Sequence, residues 1–195
     1  MAEEDQPISG WQLLVLAGGQ GSRMNGADKG LMLIDGKPAV LHLQERLSSP
    51  SMLVSANRHG DRYLALGVQA LADLREGFCG PLAGLEALLQ QCRSNRAVVV
   101  PCDMPLLPTT LAQDLLGQLE NKSDIVVAHD GERLQPLCMA LSPASWREDL
   151  SLYLDQGGRS VHGWLQDKPL KVCRFDSVRA FRNLNTAEDL ADYSI

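Results

Sequence analysis

The chain has 195 residues, 45% of them apolar, a formal net charge of −6 and only three each of Trp, Tyr and Phe. That length predicts one domain spanning residues 1–195, with a core burying roughly 70% of the unfolded surface and needing no disulfide or metal staple. An acidic chain without a Lys/Arg run lacks the basic stripe of a nucleic-acid surface, and no apolar run reaches the ~18–20 residues of a membrane-spanning helix.

The opening segment "MAEEDQPISG" is acidic and polar, so it does not predict a secretory leader. "WQLLVLAG" (11–18) reads as a buried strand running into the glycine cluster Gly18-Gly19-Gln20-Gly21. "PAVLHLQERL" (38–47) has Val40, Leu43 and Leu47 at helical spacing behind a Gly-Lys-Pro turn. "SMLVSAN" (51–57) is a short strand, and "VQAL" (68–71) a weaker one. "PLAGLEALLQQC" (81–92) is an amphipathic helix started by Pro81, with Leu82, Leu85, Leu88, Leu89 and Cys92 on one face.

"AVVVPCD" (97–103) is the most strand-like run, and "TTLAQDLLGQL" (109–119) stripes Leu111, Leu115 and Leu119 along a helix. "DIVVAHD" (124–130) and "LQPLCMAL" (134–141) flank a "DGER" turn whose Asp-Gly predicts an antiparallel pair. "ASWREDLSLYLDQ" and "SVHGWLQD" read as helices, "KVCRF" (171–175) as a last strand, and "NTAEDLADY" as a helix capped by Asn185 with Glu188 three residues on. Strands alternating with helices predict a three-layer α/β/α sandwich, Rossmann-like, with a mostly parallel sheet and one antiparallel strand.

Such sheets bind ligands beyond the carboxyl ends of their strands. The residues just past the apolar runs are Gly18 to Gly21, Asn57-Arg58, Asp73 and Asp103, and they are expected to converge on one crevice. From Gly18 to Lys37 the cations Arg23, Lys29 and Lys37 outnumber Asp28 and Asp35, a net +1 in a chain of −6, as a polyphosphate site requires. A glycine turn packed for steric reasons beside surface cations is the lesser alternative from composition. The loop matches neither G-x-x-x-x-G-K-[ST] nor G-x-G-x-x-G, because Pro38 follows Gly36-Lys37 and Arg23 stands near the third-glycine place.

Five cysteines at 79, 92, 102, 138 and 173 form no C-x-x-C pair and fit a reducing cytoplasm. The histidines at 42, 59, 129 and 162 are scattered, so no His/Cys metal site is visible. Cys102 lacks a His partner and reads as packing. His129 and Asp130 read as shaping the hairpin turn, and Asp28 as pairing locally with a cation. Asp73, Asn57 and Asp103 each have a turn-capping use beside a ligand-binding one.

Taken together, "LAGGQGSRM…DKGL…GKP" resembles the signature of nucleotidyltransferases, and its "RMNGADKGL" variant resembles the molybdenum cofactor guanylyltransferases (MobA-like). "SANRH" (55–59), "DLREGFCGPLAGL" (73–85), "PCDMPLLP" (101–108), "HDGER" (129–133) and "NLNTAEDL" (183–190) are similar to blocks of that family in the same order. The resemblance implies transfer of GMP from GTP to molybdenum-bearing molybdopterin with release of pyrophosphate, in an enzyme using Mg²⁺. It implies that Leu16, Ala17, Gly18 and Gly19 lie along guanine and ribose, that Asn57 and Asp73 hold the nucleoside, and that Asp103 binds Mg²⁺. Arg23 and Lys29 then meet the phosphates. Arg133, Gln135, Arg159, Asn183 and Asn185 are the residues implied for molybdopterin, although family members often carry His where Gln135 stands. Cofactor-insertion proteins and molybdoenzyme chaperones are the implied protein partners. A cytidylyl paralogue, a sugar-phosphate nucleotidyltransferase, a GTP-binding module without chemistry and a dinucleotide oxidoreductase are the rival readings.

Overall fold

Strand β1 (Gln12–Leu16) is buried along its whole length, and its side chains alternate between two cores, as the period of two in a strand requires. Leu13 and Val15 join one apolar cluster, Leu14 and Leu16 the other. A strand covered on both faces reads as a continuous apolar run, which is why "LLVL" shows no alternation. The computed structural model describes residues 10–18, 28–77 and 79–184.

After β1 come a 3-10 turn (Lys29–Leu31), the small hairpin β2 (Leu33–Ile34) and β3 (Lys37–Pro38), α1 (Ala39–Arg46), β4 (Met52–Ser55), α2 (Gly60–Ala65) and β5 (Gln69–Leu71). Then follow α3 (Pro81–Gln91), β6 (Ala97–Pro101), α4 (Leu111–Gly117), β7 (Ile125–His129), β8 (Leu134–Leu141), α5 (Pro143–Asp155), α6 (Val161–Leu165), β9 (Leu170–Arg174) and a final 3-10 turn (Val178–Phe181). The seven-stranded sheet runs β5-β4-β1-β6-β8-β7-β9, with β2-β3 apart. Residues from α1, α2 and α4 pack in the cluster on one face, and residues from α3, α5 and α6 in the cluster on the other. The expected three-layer α/β/α sandwich is what the chain forms.

β8 is antiparallel to both β6 and β7, and the other pairings in the large sheet are parallel. The reversal is local in origin. Four residues join β7 to β8, far fewer than a parallel crossover needs. Asp130 closes that turn: its Oδ1 accepts from the backbone N–H groups of Glu132 and Arg133, both at 2.8 Å. Gly131 sits at φ +111°, and a Cβ there would lie 3.3 Å from the Asp176 Cα, so only glycine fits without strain.

Three differences from the sequence expectation have physical reasons. α3 is not amphipathic: Leu82 to Leu89 are all buried, Glu86 included, because α5 packs along it. α2 is a six-residue helix entered through left-handed His59, too short to show periodicity. β2 and β3 turn through Asp35 and Gly36, both at positive φ, as a two-residue hairpin prefers. The helix expected from Asn185 and Glu188 lies outside the described residues.

α3 crosses β4 closely. A Cβ on Gly84 would come within 2.1 Å of Ser55 Oγ and 3.0 Å of Ser55 Cβ. Gly84→Ala is therefore expected to cost about 1–3 kcal/mol by overpacking, read as a lowered denaturation midpoint with unchanged m-value. An unchanged midpoint would show that α3 shifts freely.

Candidate active site

The connection after β1 leads to β4 on one side, whereas the connection after β5 crosses back to place β6 on the other. The carboxyl ends of β1 and β6 thus flank a topological switch point, where open α/β sheets leave a crevice. A cavity of about 250 Å³ opens there, lined among others by Leu16, Ala17, Gly18, Asn57, Asp103 and Asn183. Backbone bonds extend the sheet to its rim: Ala17 N–H donates to Ser55 O and Cys102 N–H to Leu16 O, both at 3.0 Å, and Leu184 N–H donates to Asp103 O at 2.7 Å.

Asp103 leaves β6 with its carboxylate facing Lys29, whose Nζ donates to Oδ2 at 3.0 Å. Both groups are partly screened, with side-chain exposures of 29% for Lys29 and 17% for Asp103. Lys29 is aimed by its neighbour. Asp28 Oδ1 accepts from Gly30 N–H at 3.0 Å and from Tyr63 Oη–H at 2.6 Å. Tyr63 is fully buried, and burial together with the Asp28 carboxylate pushes its phenol well above the usual range. It therefore acts as a fixed donor that pins the return of the glycine loop. The sequence reading pairs Asp28 with a cation; among the described contacts it takes a phenol and a backbone amide instead, because α2 brings Tyr63 onto it.

Asn57 and Asp73 form a reciprocal pair at the ends of β4 and β5. Asn57 Nδ2 donates to Asp73 Oδ2 at 2.9 Å, and Asp73 N–H donates to Asn57 Oδ1 at 2.8 Å. The following loop is clamped by a network that sequence reading did not find. Arg75 Nε and Nη2 donate to the two carboxylate oxygens of Glu86, each at 2.7 Å, while Nη1 donates to Asp155 Oδ1 at 2.6 Å. Arg75 Nη2 also donates to Ser151 O at 3.1 Å, and the Ser151 hydroxyl donates to Glu86. A Glu inside a leucine-rich helix was the available signal.

Leu16, Ala17, Gly18, Lys29, Asn57 and Asp103 thus share one cavity, with Asp73 joined to it through Asn57. Gly19, Arg23 and Asn185 lie outside the described residues. The residues implied for molybdopterin are spread more widely. Arg133 and Asn183 line a second cleft beside the first. Gln135 is turned inward, 6% exposed, with Nε2 donating to Asp130 Oδ2 at 2.6 Å. Arg159 lines neither cleft: its Nη1 donates to the carbonyls of Leu154 and Gly158 at 2.8 and 2.6 Å. Cys102 is buried, and burial followed by the Asp103 charge pushes its thiol far up, which suits packing and not nucleophilic attack. His129 Nδ1 accepts from Gly131 N–H at 3.0 Å, so it shapes the turn as expected. All five cysteines are buried thiols.

Residues 13–169 match the family model of the MobA-like NTP transferase domain. The chain belongs to this family. Proteins named molybdenum cofactor guanylyltransferase from Cupriavidus metallidurans and from Shewanella sp. strain ANA-3 are similar to it at 40% and 41% identity, over 184 and 179 residues. The alignments cover 91% of both chains in the first case and 90% in the second. Among solved structures, molybdopterin-guanine dinucleotide biosynthesis protein A from Archaeoglobus fulgidus shares the fold with a TM-score of 0.72 at 21% identity, covering 93% of this chain and 95% of that one. The 2-C-methyl-D-erythritol 4-phosphate cytidylyltransferase from Thermus thermophilus also shares it, with a TM-score of 0.66 at 15% identity, over 95% and 96%.

Nucleotidyltransferases of the MobA-like kind work with a divalent metal. The donors present fit a hard cation. Asp103 supplies one carboxylate, and no group of three or more His, Cys, Asp or Glu side chains among the described residues could hold an ion alone. One carboxylate completed by phosphate oxygens and water suits a hard divalent cation, in contrast to a closed His/Cys cage. Among the described residues no helix is long and apolar enough to cross a membrane.

Proposed function

We propose that this chain transfers GMP from GTP to molybdenum-bearing molybdopterin, giving the guanine dinucleotide form of the cofactor and pyrophosphate. The observation that carries this reading is the Asp103–Lys29 pair at the switch point, in a cavity shared with the Leu16–Gly18 backbone and Asn57. A terminal phosphate oxygen of the pterin attacks the α-phosphorus of GTP. The new P–O bond forms as the bond to the bridging oxygen of the β-phosphate breaks, and pyrophosphate leaves with that electron pair. Such transfer needs positioning and charge neutralisation more than a covalent nucleophile.

Leu16, Ala17, Gly18 and Gly19 lie along the base and ribose, while Asn57 and Asp73 hold the nucleoside. Asp103 is the protein ligand for Mg²⁺, which supplies neutralisation of phosphate charge when bound. Lys29 then exchanges its carboxylate partner for phosphate oxygens, and Arg23 adds a second cation to the leaving pyrophosphate. Arg133, Gln135, Arg159, Asn183 and Asn185 serve the pterin side, with Gln135 acting through the turn it braces. Protein partners that deliver the acceptor or collect the product are cofactor-insertion proteins and molybdoenzyme chaperones.

The test is mass spectrometry of products after incubation with GTP, CTP, Mg²⁺ and molybdenum cofactor. The guanine dinucleotide is the expected product and depends on Mg²⁺. Turnover of CTP without turnover of GTP overturns the base assignment.

A further inference from the structure

Among the described residues, four charged side chains line the first cavity: Asp28, Lys29, Arg58 and Asp103. Three of them are engaged. Asp28 accepts from Gly30 N–H and from Tyr63 Oη–H, and Lys29 and Asp103 face each other at 3.0 Å. Arg58 is exposed at the rim and makes no hydrogen bond or ion pair among the described residues. Its backbone is nevertheless fixed on both sides. Asn57 is tied to Asp73 by two hydrogen bonds. His59 takes the left-handed conformation at φ 54°, and its carbonyl accepts from the N–H groups of Arg62 and Tyr63 at 2.9 and 3.2 Å as α2 begins. A ligand meeting Arg58 therefore orders one side chain and no backbone, which keeps the entropic cost of binding small.

Place in the sheet decides what Arg58 meets. Along the order β4-β1-β6, Arg58 follows β4 and Asp103 follows β6, and two strand spacings put these ends about 10 Å apart. A nucleotide with its α-phosphate by Asp103 and its sugar across the Leu16–Gly18 backbone points its base toward the β4 end. Lys29 stands on the phosphate side, and Arg58 on the base side. The other residues placed on the nucleoside have no side-chain donor to spare there: the Asn57 amide is committed to Asp73, and a carboxylate such as Asp73 only accepts. Guanine presents O6 and N7 as two acceptors on one edge, whereas cytosine and adenine present an amino donor in place of O6. We propose that Arg58 reads the O6/N7 edge of guanine and so sets the preference for GTP. A guanidinium suits the task because its planar donors pair with two acceptors at once, which an ammonium cannot do.

The base assignment rests on the GTP reading proposed above, and the experiment separates the two. Equilibrium binding of GTP, inosine triphosphate and 7-deaza-GTP is measured with Mg²⁺ and without acceptor, so that no transfer is needed. Inosine triphosphate keeps both O6 and N7, and 7-deaza-GTP lacks the N7 acceptor. Arg58→Ala changes an exposed side chain, and its melting temperature is expected to match the wild type. It is expected to raise Kd for GTP and for inosine triphosphate alike, by about 10- to 100-fold, the discrimination of one bidentate base contact. The rise for 7-deaza-GTP, already bound more weakly by the wild type, is expected to be several-fold smaller. Arg58→Lys recovers little of the loss. An equal rise for all three nucleotides would put Arg58 on the phosphates or ribose and overturn the inference, as would no rise for any, or full recovery by lysine. If the N7-dependent loss is found in a protein that makes no dinucleotide, the Arg58 assignment stands and the guanylyl reading falls. A wild type that binds CTP and not GTP overturns both.

Discussion

Asp103→Asn is expected to lower kcat about 10²–10³-fold, the usual effect of removing one preorganised electrostatic group, while the protein stays folded. The substitution keeps shape and removes the charge that would hold the divalent metal. It also removes the ion pair with Lys29. The backbone bond from Leu184 N–H to Asp103 O does not depend on the carboxylate, so the strap keeps its place. The measurement is steady-state turnover with saturating GTP, together with the melting temperature of the same sample. Raised Mg²⁺ should recover part of the rate, because the phosphates still offer ligands. Loss of rate accompanied by unfolding would reassign Asp103 to a structural role, and an unchanged rate would remove it from the site.

Glu86→Ala is expected to destabilise the fold by about 3 kcal/mol, the effect of breaking a buried ion pair and stranding its partner, which corresponds to about 6–12 °C in Tm. Glu86 is 2% exposed and Arg75 spends two of its bonds on it. Asp155 keeps part of Arg75 engaged, but from an exposed position. The same change frees the loop that carries Asp73, so KM for GTP should rise with little change in kcat. The pH dependence follows from the carboxyl itself. Burial alone would raise its pKa, yet the bonds from Arg75 and Ser151 outweigh burial and hold it below the ordinary value of 4.5. A group whose pKa is lowered on folding contributes stability that is fully present above its unfolded pKa and is lost as pH falls through the folded one. The gap in Tm between wild type and Glu86→Gln should therefore be constant near neutrality and close only below about pH 4.3. A gap that closes between pH 7 and 5 would contradict this assignment.

Much of the site was legible because the loops at strand ends repeat a local logic. Gly18, Asn57, Asp73 and Asp103 each follow an apolar run, and parallel topology obliges such residues to meet at one edge of the sheet. The hairpin at Asp130-Gly131 was legible from its Asp-Gly pair. The same pair at Asp35-Gly36 marks β2–β3 equally well, but two-residue strands show no alternation to confirm it. Asp28 illustrates a different limit: its partner Tyr63 lies 35 residues away on a helix too short to show a period.

The amino-acid sequence by itself determined the α/β alternation, the carboxyl-edge residues and the family, because strand runs, glycine loops and ordered motif blocks are local properties of the chain. Tertiary structure alone decided three things. It paired Lys29 with Asp103 across 74 positions. It covered the outer side of α3 with α5, making Glu86 the buried partner of Arg75. It folded the 178–184 strap against the β7–β8 turn, so that Arg133, Arg179 and Arg182 face one cleft. Each depends on which helices and loops close over the sheet, and spacing along the chain carries no record of contacts made across it.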